Sequence, residues 1–183
     1  GLSFPFIGAK LRGEHDTRVV AVEPANCPTL TRGKYAYDFG DTAHLTPLVK
    51  MHTLGSNFVP PGFHAGGLRY HGMAPLVSQC TELGYVTARA YDQKACFEAG
   101  LAFARAEGII PAPEANHAVV ATLDAAHACK TSGESRTILL NLCGHGHFDM
   151  PAYMDYAAGK LFDQQYNEQD MAMALAGLPS VDA

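Results

Sequence analysis

No stretch of the chain approaches the ~20 consecutive apolar residues that a membrane-spanning helix needs, so no transmembrane helix is expected. The first residues lack the basic start and long apolar core of a secretory signal, and a cytoplasmic location is expected. Basic residues are scarce: 13 Lys+Arg against 18 Asp+Glu give a formal net charge of −5. A nucleic-acid-binding domain normally presents a basic face, so that class is disfavoured. Cysteine is sparse and irregular, with five residues and no Cys-x-x-Cys. That argues against a disulfide framework and for reduced thiols. Repeats, low-complexity tracts and long linkers are absent. What is present, 48% hydrophobic and 17% charged residues in 183, is the composition of one globular domain. At this length folding buries roughly 70% of the unfolded chain's surface.

The pattern along the chain alternates between helix and strand. Ser3 to Arg12 reads as a short helix with Pro5 near its start and Gly13 past its end. Arg18 to Val22 is an apolar, β-branched strand closed by Glu23-Pro24. Asn26 to Gly40, rich in Pro, Gly, Thr and Tyr, is expected to be loop. Thr46 to Leu54 is expected to form a short helix, and Asn57 to Gly72 a second loop. Pro75 to Leu83 reads as a helix stopped by Gly84, and Tyr85 to Ala90 as a strand.

Asp92 stands where it can cap a helix carrying Phe97, Leu101 and Ala104, with Gly108 as the stop. Pro111 and Pro113 introduce another helix, with Glu114 in its first turn, where the helix dipole favours a carboxylate. Val119, Val120 and Leu123 are its expected buried stripe, and Lys130 with Gly133 its end. Thr137 to Leu142 is almost wholly apolar, as a central parallel strand would be. Tyr153 to Phe162 reads as the last helix, followed by an amphipathic tail. Such alternation implies an α/β fold with a mostly parallel sheet.

Ligands in open α/β sheets bind beyond the carboxyl ends of the strands. The richest such end is Asn141-Leu-Cys-Gly-His-Gly-His-Phe-Asp149. Its glycines let backbone approach a ligand, and Cys143 either points out of the strand top or serves as a small buried hydrophobe. His145, His147 and Asp149 alternate, so on a strand they would share one face and make a three-ligand zinc site of hydrolase type. Glu114 is either a helix-start charge or a functional carboxylate. Gly55-Ser56-Asn57 is a weak phosphate-cradle signal that more often marks a turn. The loop His64-Ala-Gly-Gly-Leu-Arg-Tyr-His71 is polar and glycine-bearing, as functional loops often are.

Several of these segments carry a resemblance. Glu107-Gly-Ile-Ile-Pro-Ala-Pro-Glu114, followed by Ala-Asn-His117-Ala, resembles the E-G-I-x-P-A-x-E-[SA]-x-H-A signature of tryptophan synthase β chains. Asn141 to Asp149 resembles their N-L-S-G-x-G-x-x-D strand end. Glu23 to Gly33, Tyr37-Asp-Phe-Gly-Asp41, His64 to Gly72 and His145 with Asp149-Met-Pro-Ala-Tyr153 resemble the second, longer type of β chain. The likeness runs over nearly the whole chain in order. It implies a pyridoxal 5'-phosphate enzyme of fold type II, a three-layer α/β/α architecture. Such an enzyme joins L-serine to indole by β-replacement, as a homodimer that can pair with an α chain.

The resemblance assigns residues as well. Cys143 and Gly144 fall at the cofactor's pyridine nitrogen, where the family usually has Ser; a thiol there is a weak donor. Glu114 falls beside the cofactor ring. Gly66, Gly67, Arg69 and Tyr70 fall in the loop over the substrate, with Arg69 where the shorter type carries Asp. No metal is implied. None of the six lysines, at 10, 34, 50, 94, 130 and 160, lies in the family's H-K-x-N context. The G-G-G-S-N phosphate cup is expected just before Gly1. Residues 1–183 therefore read as a single C-terminal portion of a β-like chain, inactive alone. The other readings are the zinc hydrolase and a non-catalytic module that binds a separately encoded N-terminal half.

Overall fold

The computed structural model describes residues 1–181. Its helices are α1 (Ser3–Leu11), α2 (Thr29–Arg32), α3 (Pro75–Glu82), α4 (Gln93–Glu107), α5 (Pro113–Ser132), α6 (Met150–Ala157) and α7 (Glu168–Ala176). Its strands are β1 (Val19–Pro24), β2 (Lys34–Asp38), β3 (Val49–Thr53) and β4 (Val86–Tyr91). The class is α/β. β1 and β4 pair in parallel, Val19 opposite Val86 through Pro24 opposite Tyr91. β2 and β3 form a separate antiparallel pair, Lys34 opposite Thr53 through Asp38 opposite Val49. None of the described helices is long and apolar enough to cross a membrane. All five cysteines are free thiols.

Glycine marks the helix ends where expected. Gly108 and Gly133, just past α4 and α5, take left-handed φ values of 71° and 75°. Asp92 precedes α4 in extended conformation, but its side chain makes no capping hydrogen bond. The expected loop from Asn26 to Gly40 instead contains α2 and β2. The reason lies at the end of β1, where Glu23 is only 4% exposed. Its carboxylate accepts the backbone N–H groups of Leu30 and Thr31, both at 2.8 Å, and both threonine hydroxyls of α2. A carboxylate supplied from another element thus does what a local cap usually does at a helix start. Composition within 26–40 carries no trace of it.

The helix expected at Thr46 to Leu54 is corrected to strand β3. Val49 and Thr53 are β-branched, and the pair with β2 satisfies the backbone of both strands. Thr53 Oγ1 donates to the fully buried Asp38 across the pair at 2.6 Å. On the opposite face Tyr35 lies against His52, ring centroids 5.2 Å apart, and Lys50 lies over Tyr35 and Tyr37. The helix expected at Tyr153 to Phe162 is α6, Met150–Ala157, and it is not the last, since α7 forms in the tail.

Two further expectations fail for want of a neighbour. Thr137 to Leu142 forms no strand and joins no sheet. Leu123 is exposed at 37%, although Val119 and Val120 are buried as expected. The apolar sequence of 137–142 is suited to a strand, but a strand needs a partner ladder, and neither β1 nor β4 supplies one.

Three apolar clusters form the core. Cys27, Leu54 and Phe58 meet Met171 and Ala174 of α7. Cys96 and Ala99 meet Val119 and Val120 between α4 and α5. Phe97 meets Ala152 and Tyr153 of α6. Gly55, at φ 94°, is where α7 comes closest, since a Cβ there would lie 2.7 Å from the Ala174 backbone. That close packing fills the place read as a phosphate cradle.

α4 and α5 cross at Gly100, whose missing side chain makes room for the buried Asn116 carboxamide. Gly→Ala in an exposed helix normally stabilises by about 1 kcal/mol. Here the sign reverses, because a methyl would land on the Asn116 side chain. Gly100→Ala is expected to destabilise the chain by about 1–3 kcal/mol, the usual cost of overpacking, as read by urea unfolding; a rise in the midpoint would refute this.

Candidate functional site

The site assembles where the start of α5 meets the turn after residue 142. Ile110 to Ala112 and Gly144 to Gly146 run antiparallel, with Pro111 bridged to His145. Gly146 N donates to Ile110 O at 2.8 Å, and Ala112 N to Gly144 O at 3.4 Å. Both glycines are required. Gly144 has φ 67°, and a Cβ on Gly146 would lie 2.5 Å from Pro111 O and 2.9 Å from the Tyr153 ring. Cys143 therefore stands one residue before the carbonyl that anchors Ala112, and Ala112 stands two residues before Glu114. Its thiol is exposed, so the reading as a small buried hydrophobe is corrected.

Tyr153 fastens the junction from below. Its hydroxyl donates to Pro111 O at 2.6 Å and accepts from Asn116 Nδ2 at 2.9 Å. Burial raises the Tyr153 phenol above its usual range, which keeps it a donor at neutral pH. Asn116 and Tyr153 were missed as contributors to the site. Tyr153 reads in sequence as a helix residue and as part of the family-like Asp149–Tyr153 segment, and nothing local marks its partner 42 residues earlier.

Glu114, in the first turn of α5, reaches the loop at Gly66–Leu68. Gly67 N donates to Glu114 Oε1 at 2.9 Å, and a Cβ on Gly67 would stand 3.1 Å from that oxygen. Gly66 has open space around it. The rest of the loop is tied down on three sides. Arg69 Nε donates to the carbonyls of Pro60 at 3.0 Å and Pro61 at 3.1 Å. His71 Nε2 donates to Phe39 O at 2.8 Å, and Cys27 Sγ donates to Tyr70 O at 3.1 Å. Burial pushes the Cys27 thiol up to about 12, so it stays protonated and able to donate. Tyr70 itself is 64% exposed. The structure thus joins Glu114 with Gly66, Gly67, Arg69 and Tyr70 in one loop–helix contact, and sets the Cys143–Gly144 turn against the same helix start.

The three-ligand zinc arrangement does not form. Gly144 turns the chain out of extended geometry, and His147–Asp149 is a 3₁₀ turn, so the three side chains share no strand face. His145 and His147 do lie together, ring centroids 4.8 Å apart. Among the described residues, however, no three His, Cys, Asp or Glu side chains are grouped to hold a metal ion. A cleft of about 250 Å³ opens between Phe63, His64, Gln93 and Phe162. It does not border Glu114 or Cys143.

No family model matches the chain. Curated relatives match over most of it. It is 58% identical over 166 residues to the tryptophan synthase beta chain 2 of Aquifex aeolicus (strain VF5), covering 89% of this chain and 38% of that one. It is 55% identical over 161 residues to the protein of the same name from Methanosarcina acetivorans (88% and 36%). It is 50% identical over 179 residues to the tryptophan synthase beta chain of Pyrococcus horikoshii (98% and 39%). The chain is a homologue of the tryptophan synthase beta chains. It spans little more than a third of the length of these relatives. Beta chain 2 is the name borne by the Aquifex and Methanosarcina proteins, in agreement with the second-type features of the sequence.

One residue of this beta-chain homologue's signature gives a pH dependence. His117 is 2% exposed; its Nδ1 donates to Pro113 O at 3.0 Å, and its Nε2 is buried without a partner. Desolvation lowers its pKa below the usual 6.5, only partly offset by the carbonyls of Pro113 and Glu114. The unfolded chain therefore takes up this proton first. Its contribution to stability is complete above about pH 6.5 and is lost as the pH falls below that value, by at most about 1.4 kcal/mol per pH unit. Urea unfolding of the wild-type chain between pH 7.5 and 5 is expected to show a steeper loss than His117→Gln; equal slopes would remove His117 from the account.

Proposed function

We propose that this chain is the C-terminal portion of a tryptophan synthase beta-type protein that joins L-serine to indole to give L-tryptophan. The carrying observation is the junction at the start of α5, which brings the Glu114 carboxylate to the Gly66–Gly67 backbone and sets the Cys143–Gly144 turn beside the same first helical turn. The identity of 50–58% to tryptophan synthase beta chains supports the choice of reaction. The complete protein is cytoplasmic and homodimeric in this reading, with an α chain as a possible partner.

The residues present fit one edge of a pyridoxal 5'-phosphate ring. An exposed thiol at Cys143, a glycine at 144 that leaves the backbone uncovered, and a half-buried carboxylate at Glu114 are the donor, spacer and acceptor such an edge takes. Bound there, the cofactor supplies the electron sink for exchange at the serine β-carbon. Cys143 Sγ–H would donate weakly to the ring nitrogen and leave it largely unprotonated. Glu114 places a carboxylate beside the ring and holds the loop through the Gly67 N–H. Arg69 acts as a positioning residue: with its guanidinium spent on the carbonyls of Pro60 and Pro61, it shapes the loop rather than binding substrate directly. Gly66, Gly67 and Tyr70 form the part of the loop left to cover the substrate and keep out water. A lysine in H-K-x-N context is absent from the 183 residues, so this portion alone has no catalytic lysine of the family's kind.

Two measurements test this reading. With the cofactor, L-serine and indole, the chain alone is expected to make no more tryptophan than free cofactor does; turnover above that level would overturn the assignment of an inactive portion. In the complete enzyme, Cys143→Ser is expected to keep activity and Cys143→Ala to lose tenfold at most, because one neutral hydrogen bond contributes about 0.5–1.5 kcal/mol. A thousandfold loss in Cys143→Ala would give the thiol a different role.

A further inference from the structure

The connection between α6 and α7 is fastened at two points. Leu161 packs on the Phe97 cluster and Tyr166 on the Phe58 cluster. Between these anchors residues 162–165 are exposed, and among the described residues they form no backbone–backbone hydrogen bond. What holds them is the start of α4. Lys94 N donates to Asp163 Oδ1 at 3.0 Å, and Gln93 Nε2 donates to Phe162 O at 2.8 Å. Gln93 is committed in the other direction too, since its Oε1 accepts from His64 N at 3.2 Å. One carboxamide, with a donor and an acceptor end, thus joins segment 162–165 to the first residue of the His64–His71 loop. The cleft between Phe63, His64, Gln93 and Phe162 is the space that segment and loop enclose.

The cap of α4 makes this contact replaceable. Asp92 holds the residue position before the helix, with φ −75° and ψ 151°, and its carbonyl accepts from Cys96 N at 3.2 Å. A carboxylate in that position ordinarily takes the N–H two or three residues on. The N–H two residues on is that of Lys94, which Asp163 already holds, and the Asp92 side chain makes no capping bond. Partial desolvation and the Asp163 charge raise the Asp92 carboxyl above its usual range. Two carboxylates therefore compete for one helix start, and their repulsion opposes the contact that forms. We propose that residues 162–165 are a releasable strap. Closed, Asp163 caps α4 and Gln93 fixes the His64 end of the loop. Open, Asp92 takes the Lys94 N–H, Gln93 loses its partner on the strap, and the loop end is freed. Opening trades one charge-assisted hydrogen bond for another, so α4 keeps its cap in both states. The strap goes beyond the proposed reaction and does not depend on it.

Amide hydrogen exchange resolved by NMR on the 183-residue chain at neutral pH tests it, each rate taken relative to the intrinsic rate of its amide. Asp163→Ala is expected to speed exchange of the His64 amide roughly tenfold, the effect of one lost hydrogen bond. The Lys94 amide is expected to stay within about twofold of wild type, because Asp92 takes over as its acceptor. In the double variant Asp92→Ala/Asp163→Ala the Lys94 amide is expected to speed roughly tenfold as well. Gln93→Ala is expected to free the His64 amide and leave the Lys94 amide protected. Asp163→Asn keeps an acceptor oxygen and removes the repulsion, so it is expected to protect the His64 amide at least as well as wild type does. Unchanged exchange in the middle of α5 serves as the check that each variant is folded. Release of the Lys94 amide by Asp163→Ala alone would overturn the hand-over to Asp92. A His64 amide indifferent to Asp163→Ala, or freed equally by Asp163→Asn, would overturn the coupling of strap to loop.

Discussion

The hydroxyl of Tyr153 is the constraint on which the rest of the candidate site depends. It lies between the Pro111 carbonyl, just before α5, and the Asn116 carboxamide in the first turn of α5, so three groups from two distant parts of the chain meet there. Each is buried, so each would cost about 1–3 kcal/mol if left unpaired. Together they fix the start of α5 relative to α6, the helix that follows the Cys143 turn. Gly100 and Gly146 are the geometric conditions for this arrangement: one admits the Asn116 side chain between α4 and α5, the other admits the Tyr153 ring and the Pro111 carbonyl against the turn. Neither glycine has chemistry of its own. They set how near the chemistry-bearing residues can come.

The second constraint is the carboxylate of Glu114, used here as a structural acceptor. A single oxygen holds the Gly67 N–H, so the glycine turn and the helix start move as one unit. The other ties on the same loop, through Arg69, His71 and Cys27, come from different segments. A loop held from four directions has little freedom except at Gly66 and Tyr70, which are exposed. Gly67 and Arg69 are exposed as well, but each is held by one of these bonds.

Much of this was legible in the sequence, and the reasons differ by element. Helices α3, α4 and α5 were readable because proline, glycine and apolar spacing mark them locally. Glu114, Cys143 and the loop at Gly66–Tyr70 could be singled out because glycines and polar residues cluster around them in the sequence. What escaped was whatever rests on distant partners. α2 depends on Glu23 from a preceding strand, and β3 on β2 across a loop. Thr137–Leu142 shows the converse: a local pattern suited to a strand, in a segment that pairs with no strand among the described residues. The His145, His147 and Asp149 alternation misled for a related reason, since spacing implies a shared face only if the backbone stays extended, and Gly144 ends that.

The burial of two cysteines has a consequence for chemical durability. Cys27 and Cys96 both have thiols pushed up to about 12 by desolvation. At neutral pH the reactive thiolate is then vanishingly populated at either position, so oxidants and electrophiles find no nucleophile in the core. The sulfur atoms that pack the interior are passive filler, and Cys143 remains the exposed one of the five. Among the five thiols, Cys143 is thus the most accessible to an oxidant, and its oxidation leaves the buried sulfurs of Cys27 and Cys96 untouched.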